Sequence, residues 1–261
     1  MKKNRAVYIF LILAVICLVL SFLVGQKAGH EESIKVLMKD AVLHDVNKID
    51  LFGLMDVNPA IVSAFVVTGI ILILSLIIKF VLLPRFTYVP SKIQVVIESF
   101  VDIFNSMARS NSPHKNIFLG RYIFTAGTYI FIGTLFELFG IQAISKTGAP
   151  IAIPAPLSDI NASIAMGFLS YTVILVGALS VNGGKGVLKT LKDFSLPISM
   201  SFRLFGALLS GLLVTELVYY FVALRFVLPV IVAILFTLLH ALIQAYVLTM
   251  LTSLFYGEAT E

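Results

Sequence analysis

Five residues place polar chemistry inside stretches apolar enough to sit in a bilayer: Arg203, Glu137, Glu216, His240 and Gln244. Arg203 sets the hardest problem. It lies about seven residues into Leu196–Val214 (LPISMSFRLFGALLSGLLV), and a guanidinium stays protonated in any protein setting. Placing a charge at the centre of a membrane helix costs ~2.5–3.5 kcal/mol on insertion scales. Its neighbours at helical spacing, Ser199, Gly206, Ala207 and Ser210, form a strip of small side chains without a carboxylate. Such a strip admits another helix at close range, so the counter-charge is expected from a different helix or a different chain. The alternative is an arginine snorkelling to the interface, against which the small strip argues. Ionisable residues within a membrane are by default candidates for function.

On the last apolar stretch Thr237, His240, Gln244 and Leu248 recur at i, i+3, i+7 and i+11, which puts three polar groups on one helix face. Taken alone, His240 or Gln244 is equally well explained as an interhelical hydrogen bond. Arg203 and Gln244 lie at nearly equal distances from the break at Ala223–Leu228. An antiparallel hairpin therefore sets them opposite one another within about a turn, and the same register sets His240 opposite Ala207. Glu216 follows Arg203 by 13 residues, about 140° around the helix, and is not its direct partner.

These residues need a membrane scaffold, and the composition supplies one. Of 261 residues 59% are hydrophobic and 13% charged, with a mean hydropathy of +1.02. Several runs reach the roughly 20 apolar residues that cross a ~30 Å hydrocarbon layer. The fold class is all-α: a polytopic membrane protein with five to six membrane helices, one interfacial amphipathic helix and a long C-terminal helix hairpin. Two hairpin limbs of about 28 residues, roughly 42 Å each, exceed the bilayer and must tilt. The net charge of +5 is concentrated on one side and speaks to topology; no nucleic acid is implied. The single cysteine, Cys17, excludes an intramolecular disulfide and a cysteine-based metal site, and no metal or cofactor is expected.

Residues 1–24 join a basic start, Met1–Arg5, to an apolar run, which fits a signal peptide or a first membrane anchor. Residues 25–59 form an external polar segment ending in Asp56–Pro59 (DVNP), a helix start signal. Residues 60–261 form the membrane domain. Its spans run Ala60–Leu83, Tyr122–Ile141, Asn161–Val181, Phe194–Val222 and Pro229–Tyr256. Between the first two lies Pro90–Arg109, with Ile93, Val96, Ile97, Phe100, Ile103, Phe104 and Met107 on one face. That pattern describes a helix in the interface or one packed across the ends of its neighbours. Val181–Asp193 reads as a glycine-rich loop without the spacing of a phosphate-binding motif. Segments 1–5, 84–121 and 182–193 hold three, five and three Lys or Arg, against one each in 143–160 and 223–228. The positive-inside rule puts the former, and the C-terminus, in the cytoplasm.

PISMSFRLFGALLSG followed by HALIQAYVLTMLTSLFY resembles subunit a of the F-type ATP synthase membrane sector. VPSKIQVVIESFVDIF, TLFELFG and APLSDINASIAMG extend the resemblance over about residues 50–257. It implies a non-catalytic stator subunit with two offset half-channels, multi-pass in a bacterial plasma (inner) membrane. Its partners would be a ring of c subunits, peripheral-stalk b subunits, the remaining complex and the lipid bilayer. The motif arginine, facing the ring carboxylate, matches Arg203; the motif glutamine matches Gln244; Glu137 would belong to the external half-channel.

The chain also departs from the family pattern. Ala207 stands where Asn is usual, Leu212 and Thr237 stand at polar positions, and Glu216 and His240 follow a turn or so later. In the outer half-channel, His240 reaching across to Ala207 would supply the missing polar group. Asp193 is the nearest match to the family's inner-side acid. The coupling ion, proton or sodium, is not encoded here. A secondary transporter would show inverted repeats and broken helices, and neither is evident. A purely structural subunit would have no use for Arg203 in a small-residue strip.

Overall fold

The computed structural model describes residues 15–16, 48–51, 55–112, 116–144, 150–220 and 228–261. The expected signal or first anchor lies outside these apart from Val15 and Ile16, as does most of the external segment.

Six long helices lie among the described residues. α1 (Pro59–Ile77) starts as its sequence dictates: Asn58 accepts a hydrogen bond from the Ala60 amide at 3.0 Å and Pro59 occupies the first turn. It ends through a π-turn at Ile78–Leu82 and a 3-10 turn at Leu83–Arg85, where Pro84 cannot continue the ladder. α2 (Lys92–Asn111) is capped by Ser91. α3 (Asn116–Phe136) closes in a 3-10 turn, Glu137–Phe139, followed by Gly140 in the left-handed region. Two small antiparallel hairpins flank the first helices: β1 (Ile49–Leu51) with β2 (Met55–Val57), and β3 (Gln142–Ile144) with β4 (Pro150–Ala152). α4 (Ile160–Leu191), α5 (Ser195–Tyr220) and α6 (Leu228–Thr260) complete the chain.

Four described segments, Pro59–Arg85, Ile117–Phe139, Ile160–Leu191 and Ile234–Thr260, are long and apolar enough to cross a membrane. Their outward faces are apolar too: Phe65, Leu72, Leu235 and Leu242 all stand more than half exposed. Water would penalise such a surface; hydrocarbon does not. The chain is a polytopic α-helical membrane protein. α5 has 26 residues and α6 has 33, about 39 and 50 Å. Seven residues between them cannot span the length of either helix, so the two run antiparallel.

The core lies where α2 to α6 meet, around Leu119, Ile123, Ile130, Ile174, Met200 and Leu204. Glycines set the spacing. Gly167 lies against Ser201 and the Pro197 carbonyl, Gly177 against the Tyr256 ring, and Gly127 against Phe104; a Cβ at any of them would collide. Without a solvent-driven hydrophobic effect, close packing of this kind holds membrane helices together. α1 stands outside, joined through Val67 to Phe136 and Ile153.

Two expectations are revised. The stretch read as a glycine-rich loop is largely helical: α4 breaks only at Gly183 (φ 59°, ψ −149°), a conformation suited to glycine. Residues 184–191 then double back, with Gly186 against the Ala178 carbonyl and the Tyr171 hydroxyl donating to the Thr190 carbonyl at 3.1 Å. The apolar arc of α2 is divided. Phe104 and Ala108 are buried in the bundle, whereas Ile93, Val96 and Ile103 remain exposed.

The bundle has two chemically distinct ends. At one, Asn58 donates through Nδ2 to the Asp159 carboxylate, which itself caps α4 through the Asn161 amide at 2.7 Å. At the other lie both described basic segments. There Asn111 donates to Ser253 Oγ at 3.1 Å and Asn182 to the Ala259 carbonyl at 3.2 Å.

Candidate functional site

α5 positions Arg203. Its packed side carries Met200, Leu204 and Leu208, which are 2%, 1% and 3% exposed. Held on that side, the helix turns Ser199, Arg203, Gly206 and Ser210 outward as exposed residues, with Ala207 at the edge. Nothing lies within 4 Å of where a Gly206 side chain would begin. Ser210 spends its hydroxyl on the Ala207 carbonyl at 2.7 Å. Among the described residues none gives Arg203 an ion pair or a hydrogen bond. The strip therefore remains open on the outside of the bundle, with a fixed cation in its middle.

Gln244 lies on the opposite side of this arrangement. It is 5% exposed, beside Ala241 and Ala245 on the packed face of α6. Thr237 and Leu248 are buried on that face as well, and His240 is half-buried. The imidazole lies 5.9 Å from the Phe236 ring centroid. Its Nδ1 is 3.5 Å from where a Gly211 side chain would begin.

That contact sets His240 beside Gly211, one turn further along α5 than Ala207, the residue that counting places opposite it. Counting from the midpoint of the turn treats side chains as perpendicular to the axis. On a helix they lean towards its amino terminus, so His240 reaches towards the hairpin turn and meets a later residue of α5. Arg203 and Gln244 stay within about a turn of one another in height but present themselves to different surroundings.

Glu137 is half-buried at the start of the 3-10 turn after α3, on the end of the bundle that holds Asn58 and Asp159. This turn contacts α6. Glu216 belongs to α5, but its side chain lies outside the described residues. The structure thus gathers Arg203, Gln244 and His240 on one hairpin and sets Glu137 apart at one end.

At the basic end lies a pocket of about 300 Å³ lined in part by Lys189, Asp193, Glu258 and Glu261. Asp193 stands out in the sequence as the nearest match to an inner-side acid; Glu258 and Glu261 do not stand out there. One signal was available. Both acids sit at the carboxyl end of α6, where the helix dipole disfavours negative charge, so their placement asks for a reason.

Similarity to known proteins agrees with this architecture. The sequence profile of the ATP synthase A chain family matches residues 61–257. ATP synthase subunit a of Shewanella halifaxensis (strain HAW-EB4) is 26% identical over 203 residues, covering 66% of this chain and 72% of that protein. ATP synthase subunit a of Cereibacter sphaeroides (strain ATCC 17025 / ATH 2.4.3) is 25% identical over 187 residues, covering 67% and 72%. With three-quarters of its length matched, including nearly all of the bundle from α1 to α6, this chain belongs to the ATP synthase subunit a family and is an ion-translocating subunit of the membrane sector.

Proposed function

We propose that the chain is the stator that holds a ring of c subunits against Arg203 and offers ions two separate half-channels. The observation that carries this reading is the open strip on α5. A cation flanked by Ser199, Gly206 and Ser210, turned away from its own bundle, needs a partner from another chain. A carboxylate on a passing ring helix meets that need. At ~4 Å and an effective dielectric of ~20, the attraction is about 4 kcal/mol. It favours the ionised acid and drives its bound ion off as the ring carboxylate arrives. The fixed charge also repels a cation that would cross directly between the half-channels. Transmembrane potential then drives rotation with ~2.3 kcal/mol per charge per 100 mV. No covalent bond is made or broken in this subunit, and the catalytic sites lie in other subunits of the complex.

In this reading the two ends of the bundle have different duties. Glu137, with Glu216, His240 and Gln244, lines access from outside, and the pocket at Asp193, Glu258 and Glu261 opens access from the cytoplasm. The lysines at 185, 189 and 192 on that second end support a cytoplasmic placement by the positive-inside rule. The C-terminus then lies in the cytoplasm of a bacterial plasma membrane, and the b subunits of the peripheral stalk bind elsewhere on the bundle. Residues 60–261 form the membrane domain and 25–59 an external segment.

Cross-linking tests the arrangement. With Cys17 replaced by Ser, cysteine at Gly206 or Ser210 should form disulfides with cysteines scanned along the outer helix of the c subunit. Cysteine at Met200 should not. Cross-links from Met200, or none from either strip position in an assembled complex, would remove the basis for the reading.

A further inference from the structure

Where the carboxyl end of α2 meets the start of α3, the surface holds a pocket of about 310 Å³ unrelated to the α5 strip. Arg109 and Arg121 line it together with Asn105, and Val101, Ile117 and Phe124 form its apolar walls. We propose that this pocket binds the phosphate of an anionic phospholipid headgroup, with the two guanidinium groups clasping the phosphate and the apolar walls lying along the upper acyl chains.

Charge, depth and shape each support the assignment. The walls contain two cations and no carboxylate, and both arginines are exposed. The nearest acid on α2, Asp102, lies two turns from Arg109 and is not part of the wall. Among the described residues no ion pair occupies either guanidinium. A planar guanidinium matches two phosphate oxygens at once, and two arginines on separate helices can hold one phosphate from two directions.

The pocket also lies at headgroup depth. A membrane-crossing segment begins at Ile117, so Arg121 is only about one turn inside it and its long side chain reaches the interface. The exposed apolar edge of α2 at Ile93, Val96 and Ile103 turns the same helix towards lipid. The apolar wall is firm: Phe124 meets Phe100 and Phe104 edge-on, with centroids 5.7 and 5.6 Å apart. Gly120 keeps α3 close to α2, since a Cβ there would stand 3.1 Å from Asn105 Oδ1. Free phosphate shares the anionic chemistry, but it would leave the walls of Val101, Ile117 and Phe124 against water, whereas a lipid covers them.

The test uses the full chain in nanodiscs of equal phosphatidylglycerol and phosphatidylcholine, released into a native mass spectrometer. The wild-type chain should retain phosphatidylglycerol preferentially. In R109Q/R121Q the ratio of the two retained lipids should fall by about tenfold to thirtyfold. R109K/R121K should keep part of the preference, and R85Q, which removes an exposed cation outside the pocket, should keep all of it. Circular dichroism checks that helix content is unchanged. Should the double variant lose it, R109Q and R121Q are measured singly, each expected to lose several-fold, and an unchanged lipid ratio in both overturns the proposal. A double variant that folds and retains phosphatidylglycerol like the wild type overturns it as well. So does a wild-type chain that binds inorganic phosphate in phosphatidylcholine discs yet shows no preference between the lipids. None of these outcomes depends on the role of Arg203.

Discussion

The two faces of α5 obey different rules although they share one helix. On the packed face, Met200, Leu204 and Leu208 are almost wholly buried, and Ser201 returns its hydroxyl to the Pro197 carbonyl at 2.7 Å. Side chains there are chosen to fit known neighbours. On the other face Ser199, Arg203, Gly206 and Ser210 touch little of their own chain. Small residues on a buried face bring helices together, as Gly167 does; small residues on an open face keep a place free. The packed face also fixes the rotation of the helix, so Leu204 and its neighbours aim Arg203 without contacting whatever it meets.

The sharpest way to break this contrast is to remove the charge. Arg203→Ala should lower ATP-driven ion uptake into vesicles on the order of a thousandfold, because ~4 kcal/mol of attraction is lost, while leaving assembly intact. Arg203→Lys should also be severely impaired, since an ammonium lacks the breadth of the guanidinium fork. Uptake near wild-type rates in Arg203→Ala would end the account of the open face.

A second test concerns the seam between the faces. His240→Ala should slow pumping by roughly tenfold to a hundredfold if the imidazole relays protons. Because His240 lies against Gly211, Gly211→Ser is a substitution expected to restore part of the rate. A His240→Ala complex that pumps normally between pH 6 and 8 reduces the histidine to a packing residue.

Two glycines then make the comparison directly. At Gly206 nothing among the described residues lies within 4 Å of an added Cβ, so Gly206→Leu should leave the bundle folded while pumping falls by about tenfold through obstruction of the partner. Gly167→Leu collides with Ser201 and the Pro197 carbonyl and should destabilise the bundle by about 1–3 kcal/mol, read as earlier thermal unfolding in detergent. The same unfolding midpoint for both variants would erase the distinction between the faces. The smallest effect is expected far from the strip. Glu258→Gln should slow uptake by about two- to threefold by weakening the local attraction for cations at the basic end, and an unchanged rate would leave that pocket without a part in conduction.

Much of this protein is written locally. Apolar runs of membrane length, the Asn58–Pro59 start of α1 and the position of Arg203 in a small-residue strip each depend on residues a few places apart, and all are legible in the sequence. Helical spacing alone puts Thr237, His240, Gln244 and Leu248 on one face, where the structure has three of them buried and the imidazole half-buried. Other features depend on residues far apart in the chain. The imidazole of His240 meets Gly211, a turn beyond the residue that counting places opposite it, because side chains lean along a helix axis. The glycines of residues 184–191 suggest a loop, while contacts of Tyr171 and Ala178 with the returning segment hold it as helix. The acids Glu258 and Glu261 gain meaning only when α6 brings them beside Asp193 and Lys189. Sequence thus determined which segments are long and apolar helices and where the charge lies within them, because burial and helix periodicity are short-range. Which side each charge faces was decided by packing between helices, which no single helix encodes.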